Sequence, residues 1–578
     1  MLIAILEKKT NAHVIISLIT FLLSVLSFST LASLPKTSAG WTIFTPSEDS
    51  LIVYVSQNGN DETAKTYNKN ELGNSPFTAP ENMVLYSFKT FKAAFEKTRK
   101  NKPDWILVKR GDTFFESIKV RDGKSLTEPF LVAAYGVKKS NPIFNTGDKT
   151  ALRTSHKSFK FIAVQGLDFY AHTRILSSTY YISPKGNYGL GVYIADDHLG
   201  NGLLIEGNRF NFYTNNVVQG PGTLKNIIIR RNSFFDSYST ISHSQGLYAH
   251  DVSLKLEENI FDHNGWLVQA SDIAGKEQGA ATMFNHNTYF ADTNDVEFIN
   301  NIFIRSASMH NKWTANKGTH SSSDIIIKNN LYIDGEIGIS AGGNKAGAYR
   351  FKNYQITDNV MLNIGHSQPT GRTLGWGLDI KDWDGGIVKN NYFLNQVAAQ
   401  VNNTYGIKIS GTTKNVQIEN NKFDNLFNAN AIVLDTGGSK ENIAINNNQF
   451  SFKENGGALI RVEKDLVGYS FKDNQYFHEA GPQKTFVDNT SSASFWQTIF
   501  PPPNNTNFLE WITLTKEQES QWHKPNVLEK RTLESYLASM NKNASLDQFI
   551  YEVRKMSFKN WDERFTTQKI NAYIKSSY

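Results

Sequence analysis

Ten times between residues 208 and 474 the sequence returns to an asparagine that closes a short apolar alternating run: Asn208, Asn232, Asn259, Asn301, Asn330, Asn359, Asn391, Asn421, Asn448 and Asn474. An aromatic follows two positions later in every case but Asn359-Val-Met, the weakest member. Successive spacings are 24, 27, 42, 29, 29, 32, 30, 27 and 26 residues. A recurrence of this kind marks an array in which each unit buries its apolar face only against its neighbours. Each unit carries two or three short strands, such as residues 227–230, 254–257, 297–299, 325–328 and 416–419, separated by Gly, Asn and Asp turns, and none carries an amphipathic helix. Leucine-rich repeats are shorter and propeller blades longer, so the period predicts an all-β chain, a single-stranded right-handed parallel β-helix. An inward Asn at each bend then bonds the backbone of the next coil, and the aromatic after it stacks in the core.

The chain has 578 residues, which at about 150 per domain would mean four domains, but one solenoid absorbs such a length. The absence of cysteine excludes a disulfide scaffold, and 40% hydrophobic residues exclude a chain too polar to fold. The net charge of +6 is spread along the chain, which suits a polyanion better than a nucleic-acid stripe. Lys8 and Lys9, an apolar run over 14–28 and small residues at Ala32, Ser33, Ser38 and Ala39 read as a signal peptide over 1–39. The expectation is a secreted or periplasmic monomer with no membrane span once that segment is cleaved.

Residues 40–200 read as an N-terminal cap and first coils, with an amphipathic helix over 87–99 covering the open end. Residues 201–480 hold the repeats and a groove. The Pro/Asn-rich stretch 481–514 reads as a linker, and 515–578 as a C-terminal helical cap with capping boxes at Thr515 to Gln518 and Ser545 to Gln548. The 42-residue spacing is one coil plus an insertion of about fifteen residues, placed at 265–280, and a loop that long in a regular array is usually functional.

Aligning coils on their asparagines aligns the strands that precede them. Alternation along those strands places Tyr248, His250, Asn287, Tyr289, Asp379, Lys381 and Lys408 on one exterior face, with His310, Lys312, Trp313 and Asn344 on intervening rows. A polar, aromatic and cationic stripe of this length suits an extended oligosaccharide. Five of the thirteen histidines, His243, His250, His263, His286 and His310, cluster around the insertion. They form no His-x-His or His-x-x-x-His set, so no metal site is assigned to them.

The segments Tyr54-Val-Ser-Gln-Asn-Gly-Asn-Asp61, Arg110-Gly-Asp-Thr-Phe-Phe-Glu116 and Pro129-Phe-Leu-Val-Ala-Ala-Tyr-Gly136 open a chain that resembles the pectate-lyase-like parallel β-helix superfamily over residues 50–480. The resemblance implies a secreted protein acting on an acidic, uronate-containing polysaccharide by β-elimination or C5-epimerisation. Such chemistry needs a group to neutralise the carboxylate, a base for the C5 proton and an acid for the leaving oxygen. Lys312 is the first choice for base or neutraliser, with Tyr289, Tyr248, His286 or His243 as acid or partner. Tyr248, His250, Asn287, His310, Trp313, Asn344, Asp379, Lys381 and Lys408 are the candidate substrate-binding residues.

A more distant similarity to the chondroitinase-B and alginate-lyase group would add an Arg on the next coil and a calcium site. Here Ser340 or Asn344 stands on that coil, and Arg305 and Ala307 occupy the positions of the calcium ligands. Calcium therefore rests on Asp379, Asp382 and Asp384. Two other readings stay open: a glycoside hydrolase, for which Asp379 pairs with Asp382, Asp384 or Glu336, and a non-catalytic carbohydrate-binding surface protein.

Overall fold

The computed structural model describes residues 34–73, 76–78, 84–154, 159–182, 189–195, 200–220, 224–269, 279–316, 321–343, 350–396, 404–482, 486–488, 504–525 and 530–578. The signal-peptide segment up to residue 33 and Asn344 lie outside them. Among the described residues, strands assemble into three sheets of fifteen, fourteen and fourteen strands, each running the length of the molecule. Apart from an antiparallel pair at one end of each of two sheets, Ile52–Val55 with Thr66–Tyr67 and Phe486–Asp488 with Asn504–Thr506, neighbours within a sheet come from successive coils and pair in parallel, as in Ser322–Lys328 beside Phe351–Thr357. The chain is a parallel β-helix.

The asparagine at each bend explains why the coils stay in register. Each ladder Asn accepts, on its side-chain oxygen, the backbone N–H and the side-chain amide of the ladder Asn before it; Asn301 reaches Asn330 in this way at 2.8 and 3.0 Å. The same pattern links Asn208 through Asn474 without a gap, the Asn359 coil included. The residue before each of the nine from Asn232 onward turns left-handed, with φ between 51° and 62°. Asn and Asp, which tolerate that conformation best among non-glycines, hold seven of these nine positions. Two positions on, the aromatics stack face to face through Phe210, Phe234, Phe261, Phe303 and Tyr332, with centroids 4.8–5.4 Å apart. The stack resumes from Phe393 to Tyr476 beyond Met361.

Both ends are closed. At the N-terminal end the helix Phe91–Lys97, shorter than the sequence pattern implies, is capped by Thr90 and buries Phe91 and Ala94. At the other end the cap lies inside the segment read as a linker: helix Phe508–Thr515 drives Trp511 against Phe486, ring centroids 4.7 Å apart. Glu517 then accepts from Asn474, Tyr476 and Trp511 and so terminates the ladder. Thr515 is therefore the last residue of a helix and not an N-cap, whereas Ser545 caps Leu546–Arg554 as the sequence implies.

The helices expected to cover that end instead lie along the solenoid. Leu533, Leu537, Phe549, Ile550, Val553 and Ile570 form one buried cluster with Ile260, Ile302, Ile304, Leu331 and Ile333 on the outer face of the second sheet. Further along, Phe558 and Trp561 meet Trp41 from the N-terminal strap at 4.5 and 5.6 Å. The strap is bound in, since Arg231 donates to the Ala39 carbonyl and Arg230 to that of Gly40. A domain boundary at residue 39 thus falls within a packed segment. Among the described residues, no helix is long and apolar enough to cross a membrane.

Asn330→Ala orphans two buried donors of Asn301, so it should cost about 1–3 kcal/mol of stability. Gln417→Ala, on an exposed position of the same solenoid, should stay within about 0.5 kcal/mol. Urea unfolding followed by circular dichroism checks both, and equal midpoints for the two variants would remove the ladder as a stability determinant.

Candidate active site

The third sheet carries the candidate site. Its outward positions form two rows that register pairing defines. One runs Tyr193, Val217, Tyr248, Tyr289, Lys312, Ser340, Asp379 and Lys408. The other runs Leu190, Asn215, Gln245, His286, Met309, Ile337, Trp376 and Tyr405 on the same strands. On each of these strands from Gln245 onward the two outward residues stand three positions apart, not two.

That spacing overturns part of the face expected from simple alternation. Asn287 is buried inside, with its amide 2.9 Å from His310 Nδ1. His310 is buried too, its Nε2 2.6 Å from the Asp334 carbonyl oxygen, and desolvation lowers its pKa to about 4. Trp313 packs in the core against Phe290 and Phe298. These three are core residues and not substrate contacts. His250 faces outward but pairs with Asp292 at 3.2 Å, and His263 pairs with Asp236 on another face. The histidine cluster is thereby dispersed, leaving His243 and His286 at the site.

Those two residues line a cavity of about 900 Å³ together with Tyr193, Asn215, Gln245, Tyr248, Tyr289, Met309 and Lys312. The residues that follow the insertion supply its rim: Met283 and Phe284 are exposed there, and the Phe284 ring lies 4.9 Å from that of His243. Residues 270–278 of the insertion lie outside the described ones. Among the described residues that line this cavity there is no carboxylate.

Lys312 closes the cavity at one end. Its ammonium donates to Ser340 Oγ at 3.0 Å and to the Gly342 carbonyl at 3.4 Å, and Ser340 Oγ donates in turn to Asp379 at 3.3 Å. Burial lowers the Lys312 pKa to about 8, Asp379 opposing the shift and Lys381 adding to it. Next to it, Tyr289 Oη accepts from Thr314 at 3.2 Å, so its own proton is free to be donated elsewhere. Tyr248 is pushed up to about 12 by burial, then by Tyr289 and Asp292. His286 is held well below its ordinary value by burial and by Lys312, Arg372 and His243, so it is neutral at physiological pH. Its buried Nδ1 has no partner among the described residues.

Beyond the Ser340 rung a second basin of about 470 Å³ opens over Trp376, Asp379, Lys381, Asp382, Tyr405, Lys408 and Asp435. Trp376 and Tyr405 stack with centroids 5.4 Å apart and planes 19° from parallel. Sequence reasoning passed over both. Their signal is the repeated aromatic-Gly-aliphatic-charged pattern, Trp376-Gly-Leu-Asp379 and Tyr405-Gly-Ile-Lys408.

The expected calcium ligands do not converge. Asp384 lies on a strand of the first sheet, ion-paired with Lys414 at 3.4 Å, and Arg305 forks onto Asp262. Among the described residues no group of three His, Asp or Glu side chains is placed to hold a metal. Glu336, a candidate hydrolase carboxylate, is buried and taken up by Thr370 and Arg372.

No protein-family model matches the sequence, and no curated protein matches it. Among solved structures the chain is similar to the GH136 lacto-N-biosidase from Eubacterium ramulus at 13% identity, over 70% of this chain and 64% of that one, with a TM-score of 0.32. It is also similar to the A-module of the Azotobacter vinelandii mannuronan C-5 epimerase AlgE4 (13% identity, 64% of this chain, 86% of that one, TM-score 0.30). A third likeness is to pectate lyase Pel9A (11% identity, 80% and 84%, TM-score 0.34). The fold is a parallel β-helix. The chain spans less than two thirds of the lacto-N-biosidase chain it matches.

Because the Asp379 carboxylate holds the Lys312 pKa up against burial, Asp379→Asn should move that lysine further below about 8. The pH dependence of amine labelling at Lys312, followed by peptide mass spectrometry, checks the sign, and an unchanged midpoint would show that the two groups are not coupled.

Proposed function

We propose that the chain is a secreted enzyme that binds an acidic polysaccharide along the third sheet and removes the C5 proton of a uronate, leading to β-elimination or C5-epimerisation. The observation that carries this reading is the cavity that ends at Lys312 and whose described lining residues include no carboxylate. A hydrolase needs two carboxylates flanking the bond, whereas an anionic sugar is favoured where the lining holds a cation, phenols and neutral imidazole.

The roles follow from placement. With its pKa lowered to about 8, Lys312 has a substantial neutral fraction near neutrality and serves as the base for the C5 proton. Negative charge then grows on the carboxylate, where hydrogen-bond donors stabilise it best if they are already in place. Tyr289, one rung away, donates its phenol proton to the departing C4 oxygen in elimination. Tyr248, on the rung beyond Tyr289, stays protonated because burial raises it, and serves as a hydrogen-bond donor to the sugar.

Lys312→Ala should lower kcat/KM by about 10²–10⁴-fold, the span of a lost general base. Absorbance of the unsaturated uronate and exchange of the C5 proton into solvent are the two readouts, one for each outcome of the same abstraction. Native kcat/KM should rise with pH through about 8, because only the deprotonated amine accepts a proton. A fall over that range would reassign Lys312 to neutralising the substrate carboxylate. Binding without either signal on any acidic polymer would leave a carbohydrate-binding protein.

A further inference from the structure

The two ends of the groove differ in charge, and Lys312 stands at the change. On one side the cavity lining among the described residues holds no carboxylate. On the other, the basin places Asp379, Asp382 and Asp435 against two ammonium groups, Lys381 and Lys408. Lys408 is already committed, its Nζ 2.5 Å from Asp435. A second uronate entering this basin would have to displace that pair and then face the remaining carboxylates in a partly desolvated site, where like charges repel strongly.

The basin is nevertheless built for a sugar. Trp376, half-buried and backed by the stacked, buried Tyr405 ring, presents aromatic surface to the apolar face of a pyranose ring. Carboxylates and ammonium groups side by side are acceptors and donors for vicinal hydroxyls. The Trp376 indole N–H is shielded from water with no partner among the described residues, so it holds an unused donor. Only the Ser340 rung separates Lys312 from Asp379, about 4.8 Å from each, so a chain reacting at Lys312 continues directly onto this platform.

We propose that the sugar bound beyond Lys312 is uncharged, so that the substrate is a heteropolysaccharide in which a uronate adjoins a neutral, hydroxyl-rich sugar, and not a polyuronate. This inference rests on the uronate reading of the cavity. It assigns Trp376 as the platform with Tyr405 packed behind it, Asp435 and Lys408 as the hydroxyl-binding pair, and Lys312 as the boundary between an anionic and a neutral subsite.

The test compares an alternating uronate–neutral polymer with a homopolyuronate, in the native chain and in Trp376→Ala and Trp376→Phe. The alternating polymer should be the better substrate, and Trp376→Ala should raise its KM about tenfold, the equivalent of one lost stacking contact, with Trp376→Phe restoring most of it. A homopolyuronate turned over equally well or better would overturn the inference while leaving the C5 chemistry standing. If neither polymer reacts, the function proposed above fails, and calorimetric binding decides the basin separately. A neutral oligosaccharide whose binding is lost in Trp376→Ala supports it, and an oligouronate bound there in place of the neutral one sinks it.

Discussion

The hydrogen bond that each ladder asparagine accepts from the one before it is the constraint on which the rest of the molecule depends. It is buried, directional and repeated from Asn208 to Asn474, so it fixes the offset between coils where a purely apolar core would tolerate slippage. Fixed offset turns positions separated by a whole coil into neighbours on one sheet. Tyr248, Tyr289, Lys312, Ser340, Asp379 and Lys408, spread over 161 positions of sequence, become successive rungs of one row. The site is in this sense a by-product of the ladder: inserting a residue in a turn is tolerated, but losing the bend would scramble every rung that follows.

The ladder was legible because its signal is a period, and a period survives variation in the intervening residues. The left-handed bend before most rungs even writes itself into the sequence as an Asn or Asp ahead of the ladder Asn. The outward face was less legible. Alternation assumes that every residue of a strand turns by half a revolution, and here the outward pairs Trp376 and Asp379, or Tyr405 and Lys408, stand three apart. Counting by two from Tyr289 puts Asn287 outside, when its amide instead joins His310 within the coil. Trp313 shows the opposite limit, since only knowledge that Lys312 faces out tells which of two adjacent large residues fills the core.

The tail was hardest to place. Its helices carry clear apolar faces, but nothing in an amphipathic pattern names the surface it covers. The second sheet is the one whose outer positions are apolar on consecutive coils, at Ile260, Ile302, Ile304, Leu331 and Ile333. Those residues read in the sequence as ordinary strand interior. Occupying that face leaves the third sheet uncovered by the tail helices, and Phe558 and Trp561 clasp Trp41 of the N-terminal strap.

The properties of Lys312 follow from where the row changes character. Toward Tyr289 and Tyr248 its surroundings are aromatic and poor in charge, which disfavours an ammonium. Toward Ser340 and Asp379 they are polar and anionic, which favours one. A lysine wholly in the first environment would stay neutral and bind no carboxylate; one wholly in the second would stay charged and abstract no proton. Held between them, with its pKa about 8, the same amine can exchange a proton near neutral pH at the point where the proposed polysaccharide would cross the sheet. The single hydroxyl of Ser340, bonded to both Lys312 and Asp379, is what keeps the two environments in contact.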